Sequence, residues 1–420
     1  MAWPNVFTAL DLSQYTKLIE KLAEDLQSGK IKATDISEDL VRQTYKDLAR
    51  ASAKGYGKSF YNYERNGKQK LSLQQNIYRF SAAKTYQEQA LLNSFLLDEN
   101  GQRRNAAEVK KLALAMNEEF NSRHLQTEVN TFQRTNAQAE KWNKYQEQKD
   151  LYPNLQYKTA KDDRVRDDHE AVDDIIKPVE DKFWDKWYPP NGWNCRCYVV
   201  QTDKPATSGT PAGNPTLGFQ NNPGKTGNPV DPEHPYFIFP DKDARKIRSS
   251  FEDLKLKLPQ YNEVHKKGSG SLEVSVWADP EDIVQNIAAG KVLVNSLKAK
   301  VKIRPHVNSA IKKKYKNPEL EINGVVGDLK NITSNSGITN GFKTAKGQMG
   351  ALKGYTVLFN LDGIKKLDLT AIKEQLNNKI SPQRGIKIKS IFINYKGKAI
   401  ELTRDEIIKR NYKKLDDLVQ

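Results

Sequence analysis

Glu319, Asp328 and Lys330 stand in a pattern that can hold a metal ion against a phosphate. The stretch Pro318-Glu319-Leu320-Glu321-Ile322-Asn323-Gly324-Val325-Val326-Gly327-Asp328-Leu329-Lys330 alternates apolar and polar residues around Asn-Gly. That pair suits a two-residue type I′ turn, because both central residues need positive φ. Folding back at Asn323-Gly324 pairs Ile322 with Val325, Glu321 with Val326, Leu320 with Gly327 and Glu319 with Asp328. Glu319, Glu321, Val326, Asp328 and Lys330 then share one face, and the Cβ atoms of Glu319 and Asp328 lie about 5 Å apart. Like charges that close are unfavourable without a cation between them, and a hard cation such as Mg2+ prefers carboxylate oxygens. Lys330 is placed to contact a scissile phosphate or an attacking water. Among Glu263, Glu273 and Glu281, Glu281 is the preferred third acidic ligand, with Glu321 a further candidate. Lys343, Lys346 and Gln348 follow on a candidate helix over 340–352. The plain alternative is a solvated hairpin face with cross-strand ion pairs.

A second group comprises His169, Cys195 and Cys197, soft ligands of the kind that hold zinc, with Asp163 a candidate fourth. The chain has two cysteines, too close in sequence for an ordinary disulfide framework. The plain alternative is a buried polar network in which the cysteines merely pack. No activating base for a thiolate is evident, which argues against nucleophilic catalysis.

These motifs carry two resemblances. Asp163-Arg164-Val165-Arg166-Asp167-Asp168-His169, Phe183-Trp184, Pro189-Pro190 and Asn194-Cys195-Arg196-Cys197, with Arg134-Thr135-Asn136 upstream, resemble the Mu-type F family of phage head morphogenesis proteins. Its signature is a D-x-R-x-x-H stretch, a tryptophan region, a double proline and N-C-R-C. The resemblance spans roughly residues 70–200. It implies a few copies per virion near the portal, with portal and capsid proteins as partners, and a role in head assembly or DNA exit. The Glu319, Asp328 and Lys330 pattern resembles the PD-(D/E)xK nuclease superfamily, with Glu where Asp is usual. The run 317–361 looks more narrowly like the C-terminal tRNA-nuclease domains of contact-dependent inhibition toxins, over roughly 255–400. That resemblance implies catalytic Glu319, Asp328, Lys330, Lys346 and Gln348, a tRNA or DNA substrate, and an immunity protein in the lysogen. Together the two resemblances imply a protein of the phage head, present in host cytoplasm during assembly or after ejection. Were the fold instead of the RelE or barnase type, His306, Arg304, Lys343 and Arg384 would do the chemistry without metal. His265 and His306 otherwise read as surface or structural histidines.

The elements that must position these residues are legible in part. At 420 residues the chain is long enough for two or three domains. Residues 1–150 read as mostly helical, for example 15–27 and 107–120. Residues 151–202 carry the cysteine signature. Residues 203–235, rich in Gly, Pro, Asn, Thr and Ser, read as a linker. Residues 236–420 read as a basic α/β domain with strands at 291–297, 301–303, 320–322, 325–329, 355–361 and 390–395. Helices are expected at 340–352, 370–380 and 403–419, the last opened by a Thr403–Glu406 capping box. Net charge is +16, and residues 281–420 hold 27 Lys and Arg against 13 Asp and Glu. A basic excess of that size is a footprint for nucleic acid. Mean hydropathy is −0.77. No apolar run approaches the length that spans a bilayer, and Met1-Ala2-Trp3-Pro4 does not open a secretory signal, so no membrane partner is expected.

Overall fold

The computed structural model describes residues 10–209, 213–350, 352, 354–381 and 387–419. Met1-Ala2-Trp3-Pro4 and Arg384 lie outside the described residues. The chain divides into two compact units, residues 1–61 with 69–254, and residues 62–68 with 255–420.

The first unit opens with helices α1 (Leu12–Gln27), α2 (Glu38–Tyr56), α3 (Gly67–Ser94), α4 (Ala106–Asn117) and α5 (Leu125–Glu147), the last two joined by a π-helical segment. Their ends follow local chemistry. Ser37 Oγ accepts from the Leu40 N–H to start α2, and Asn105 with Glu108 forms a capping box on α4. Helix α1 buries Tyr15, Ile19, Leu22 and Leu26, one stripe at helical spacing. Helices α2 and α5 meet so closely that a Cβ on Gly55 would fall 1.9 Å from the Gln133 carbonyl oxygen.

Next come β1 (Asn154–Lys158), α6 (Asp167–Glu170), β2 (Ile176–Pro178), α7 (Phe183–Lys186) and β3 (Tyr198–Thr202). The strands form an antiparallel sheet in the order β2-β1-β3. Its core gathers Trp142, Leu155, Tyr157, Trp184, Tyr188 and both cysteines.

The segment expected as a linker instead lies along this unit. It contains α8 (Pro223–Thr226), and Phe219, Val230 and His234 are buried. Asn76 on α3 bonds the Val230 carbonyl and N–H at 2.9 and 3.2 Å, and Gln87 Nε2 donates to the Tyr236 carbonyl. Polar α3 side chains satisfy an irregular backbone there, so composition poor in apolar residues did not mean a free chain. Helix α9 (Asp241–Lys257) follows.

The second unit contains β4 (Tyr261–Lys267), β5 (Gly270–Ser275), α10 (Ile283–Leu297), β6 (Lys300–Ile303), β7 (Leu320–Ile322), β8 (Val325–Asn331), α11 (Gly337–Met349), β9 (Tyr355–Asn360), α12 (Leu369–Lys379), β10 (Ile388–Tyr395), β11 (Lys398–Thr403), α13 (Arg404–Ile408) and α14 (Lys413–Val419). All eight strands join one mixed sheet in sequence order, with parallel pairs at β5/β6, β8/β9 and β9/β10. Two expectations differ. The apolar run at 291–297 is the end of α10, where Leu293 and Val294 complete a buried helical stripe begun at Ile283. The helix expected over 403–419 has its Thr403–Glu406 capping box but breaks in two, with Arg410 at φ 57°.

The two faces of the sheet are covered by different helices. Register places Leu272, Val301, Ile322 and Val325 in one row, and α10 packs on that face, with Gly290 against Leu272. Asp328 and Lys330 alternate with Leu329 and lie on the other face, opposite Val357 and Phe359. That face packs against α11, where Phe342 stacks edgewise on Phe359 at 5.0 Å.

Candidate functional site

The hairpin forms with the expected register from Ile322↔Val325 to Leu320↔Gly327, and Asn323 and Gly324 both have positive φ, 49° and 78°. Glu319 sits just before the strand, outside the paired register. It is held there by Arg304, whose backbone N–H donates to the Glu319 carbonyl and whose Nη1 donates to the Pro318 carbonyl, both at 2.8 Å.

Asp328 is wholly buried, and Lys330 Nζ lies 2.6 Å from its Oδ2. Its Oδ1 has no hydrogen-bond partner. Burial raises the Asp328 carboxyl above its ordinary range against the opposing charge of Lys330. Glu319 is pushed up to about 7 by burial and then by the charge of Asp328, with smaller contributions from Asp282 and Asp279. Gln348 on α11 reaches the same corner, its Oε1 accepting from the Asn317 N–H at 3.4 Å.

Other expected participants lie differently. Glu281 is exposed and pairs with Lys68 at 2.5 Å, so the acidic charges that bear on Glu319 from that stretch are Asp279 and Asp282. Both stand beside Glu281 in Asp279-Pro280-Glu281-Asp282. Lys346 and Lys343 are exposed on α11. Glu321 lies 3.9 Å from Lys302, which is 4.0 Å from Glu273, an ion-pair ladder across the sheet. His306 contacts Asp279 at 3.2 Å and His265 contacts Asn295 at 2.9 Å. The donor set at the hairpin is two hard carboxylates, one with an unpartnered buried oxygen. That suits a hard divalent cation, and among the described residues no third His, Cys or carboxylate closes a tight group with them.

In the first unit the structure brings His169, Cys195 and Cys197 together. Their ligand atoms lie within 4.8 Å of one another and all three residues are buried. His169 Nδ1 is 3.7 Å from Cys195 Sγ and 3.6 Å from Cys197 Sγ. Burial resists ionisation of Cys195, but hydrogen bonds from Cys197 and His169 overcome it and hold this thiol well below its ordinary range. Cys197, which shares its hydrogen bond with Cys195 and is buried, is raised. Asp163 is exposed at the rim of an acidic depression with Asp162, Asp167, Glu170 and Asp173, away from the cluster.

Arginines hold the cysteine loop in place. Arg134 on α5 donates to the carbonyls of Asn194 and Cys195 at 3.2 and 3.3 Å. Arg166 donates to the Trp193 carbonyl at 2.7 Å. Arg196 makes a two-pronged pair with Asp162 at 2.5 Å, a geometry its planar fork favours. Asn194 takes φ 57°, which turns the chain into Cys195. The role of Asp162 is a long-range pairing that spacing does not reveal.

Comparison with known proteins places this cysteine region. Residues 99–200 match the family described as Phage Mu protein F like protein. The "Putative capsid assembly protein F" of Escherichia phage Mu is 40% identical over 77 residues, 18% of this chain and 18% of that protein. The "Mu-like prophage FluMu F protein" of Haemophilus influenzae is 35% identical over 77 residues, 18% of this chain and 19% of that protein. The alignments thus span less than a fifth of these relatives. No solved structure matches. Among the described residues no helix is long and apolar enough to cross a membrane. Residues 99–200, which bring together the Cys/His cluster and the arginines that brace it, are thus the part of the chain that is similar to the Phage Mu protein F like family.

Proposed function

We propose that the chain is a minor head protein of a tailed phage or prophage, stationed near the portal, whose C-terminal unit is a metal-dependent nuclease acting on tRNA or DNA. The head role rests on the Mu F-like stretch and on the capsid-assembly name of the Mu relative. On this reading the protein resides in the virion, with portal and capsid proteins as partners, and reaches host cytoplasm with the genome. A cytotoxic nuclease would also call for an immunity protein in the lysogen.

The observation that carries the nuclease reading is Asp328. A wholly buried carboxylate with one oxygen unpartnered, beside a second acid pushed up to about 7, is unfavourable for stability alone. Such perturbed groups cluster at functional sites. A divalent cation held by Glu319 and Asp328 would activate a water and neutralise charge developing on the phosphate. Lys330 holds Oδ2 of Asp328 and presents its ammonium to a phosphate oxygen. Arg304 and Gln348 fix the backbone on either side of Pro318, and so fix where Glu319 enters. The surrounding excess of 27 basic over 13 acidic residues draws a polyanion to the unit.

Expression tests the reading. Wild-type chain should arrest growth of a host lacking an immunity protein, and Asp328→Ala and Glu319→Gln should relieve the arrest at equal protein level. Equal growth with all three would leave a basic unit that only contacts packaged DNA, the second reading that its charge favours.

A further inference from the structure

The Cys/His cluster has the atom separations of a tetrahedral metal site. Both sulfurs converge on the same ring nitrogen, His169 Nδ1, at 3.7 and 3.6 Å. A neutral imidazole nitrogen has one lone pair and accepts one hydrogen bond. Nδ1 therefore bonds at most one of the two thiols, whereas a cation set among the three atoms would hold both sulfurs at once. Zinc bound tetrahedrally at about 2.3 Å from sulfur and about 2.0–2.1 Å from nitrogen sets each sulfur-to-nitrogen separation at about 3.6 Å. Both observed distances fall there.

The surroundings agree. All three side chains are buried in a cluster that holds Tyr157, Trp184 and Tyr188, where a thiolate needs a cation nearby. The far ring nitrogen of His169, Nε2, is buried without a hydrogen-bond partner, and Asp168 Oδ2 lies 3.9 Å from it. In metal-bound histidines the second nitrogen donates to a carboxylate that orients the ring, and Asp168 needs only a small movement to do so. The backbone at Asn194 and Cys195 is braced by Arg134, which keeps the first thiol on station.

We infer that His169, Cys195 and Cys197 bind one soft divalent cation of the zinc type, through Nδ1 and two thiolate sulfurs. The fourth position is open to water, since among the described residues no fourth His, Cys or carboxylate joins the group. The ion ties α6, which follows β1, to the turn that enters β3. It thereby staples the small sheet across a loop of 26 to 28 residues. Binding releases the thiol protons to solvent and needs no oxidant or reductant.

The test uses the full chain, produced with zinc and purified without chelator. Metal analysis should find close to one zinc per chain in the wild type and less than about a tenth of that in a Cys195→Ser/Cys197→Ser variant. Because that variant could fail to fold, two wild-type readouts stand beside it. Replacing zinc by cobalt should produce the intense sulfur-to-cobalt charge-transfer absorption. Both thiols should resist alkylation in native protein and react once a strong chelator is added. Wild-type protein that carries no zinc, shows no cobalt–sulfur absorption and alkylates equally with or without chelator would overturn the proposal. So would equal zinc content in wild type and a folded double variant.

Discussion

In the first unit, the chemistry-bearing side chains come from positions 26 and 28 residues apart and meet beside an aromatic core. In the second, Glu319, Asp328 and Lys330 belong to one hairpin, brought near each other by a two-residue turn. The two arrangements differ in ligand character as well. One gathers two sulfurs and an imidazole, the donor types that suit a soft ion, the other two carboxylates and an ammonium. They differ again in what supports them. The Cys/His cluster lies within the Mu F-like stretch at residues 99–200, and the hairpin lies outside it. The contrast teaches that side chains set by one turn can gather in a unit whose core shares no residue with the stretch 99–200.

Several changes would break or sharpen that contrast. The largest effect is expected at Asp328, where Asp328→Ala should lower any nucleic-acid cleavage by at least about 100-fold, as loss of a group acting in the transition state does. The Cys/His cluster and its metal content should be untouched. An equal loss of both would contradict the independence of the two sites.

A buried acid in the first unit gives the next effect. Glu88 is wholly buried and pushed up to about 7, chiefly by burial, with Lys84 opposing and Glu128 reinforcing. Its folded value lies above its unfolded one. Its contribution to stability is therefore present below about pH 4.5 and lost as pH rises through 7. Relative to Glu88→Gln, wild type should lose about 2–3 kcal/mol of unfolding free energy between pH 4.5 and 8. His234 is lowered to about 4 by burial and has the opposite slope, but it is common to both proteins and cancels in the difference. Cleavage by Glu88→Gln should match wild type, which separates a buried acid that packs from one that acts.

Gly224 tests whether residues 203–235 are truly packed. A Cβ there would fall 2.3 Å from Trp142 Cβ, so Gly224→Ala should cost about 1–3 kcal/mol, read by denaturant unfolding. A free linker would show no change. The smallest effect is at the hairpin turn. Gly324 has φ 78° with nothing near its missing Cβ, so Gly324→Ala meets only backbone strain and should cost about 1 kcal/mol.

What was legible in the sequence follows from distance along the chain. The hairpin register, the Asn-Gly turn and the Thr403–Glu406 cap are local, and each forms with the residues expected. The helical stripe of α1 is likewise local. The run at 291–297 misled because its valines favour strands, yet the burial of Leu293 and Val294 depends on the helical phase set from Ile283. The stretch 203–235 misled because backbone groups in it, at Gly224 and Val230, are satisfied by Gln69 and Asn76, distant residues on α3. Glu281 was preferred over Glu263 and Glu273, and nothing in the sequence shows its exposed pairing with Lys68. At the cysteine region the ligand types were evident. The braces Asp162 and Arg134, and the exposure of Asp163, depend on the closed fold.

The most direct measurement is cleavage by the purified full chain. Wild type and Asp328→Ala would be incubated with total tRNA and with plasmid DNA, each with Mg2+ or with chelator. The account predicts that wild type cuts one of these substrates only with Mg2+, and that Asp328→Ala leaves it intact while binding it as before. Intact nucleic acid in every lane, with binding that weakens as salt rises, would contradict it and leave Glu319, Asp328 and Lys330 without a catalytic part.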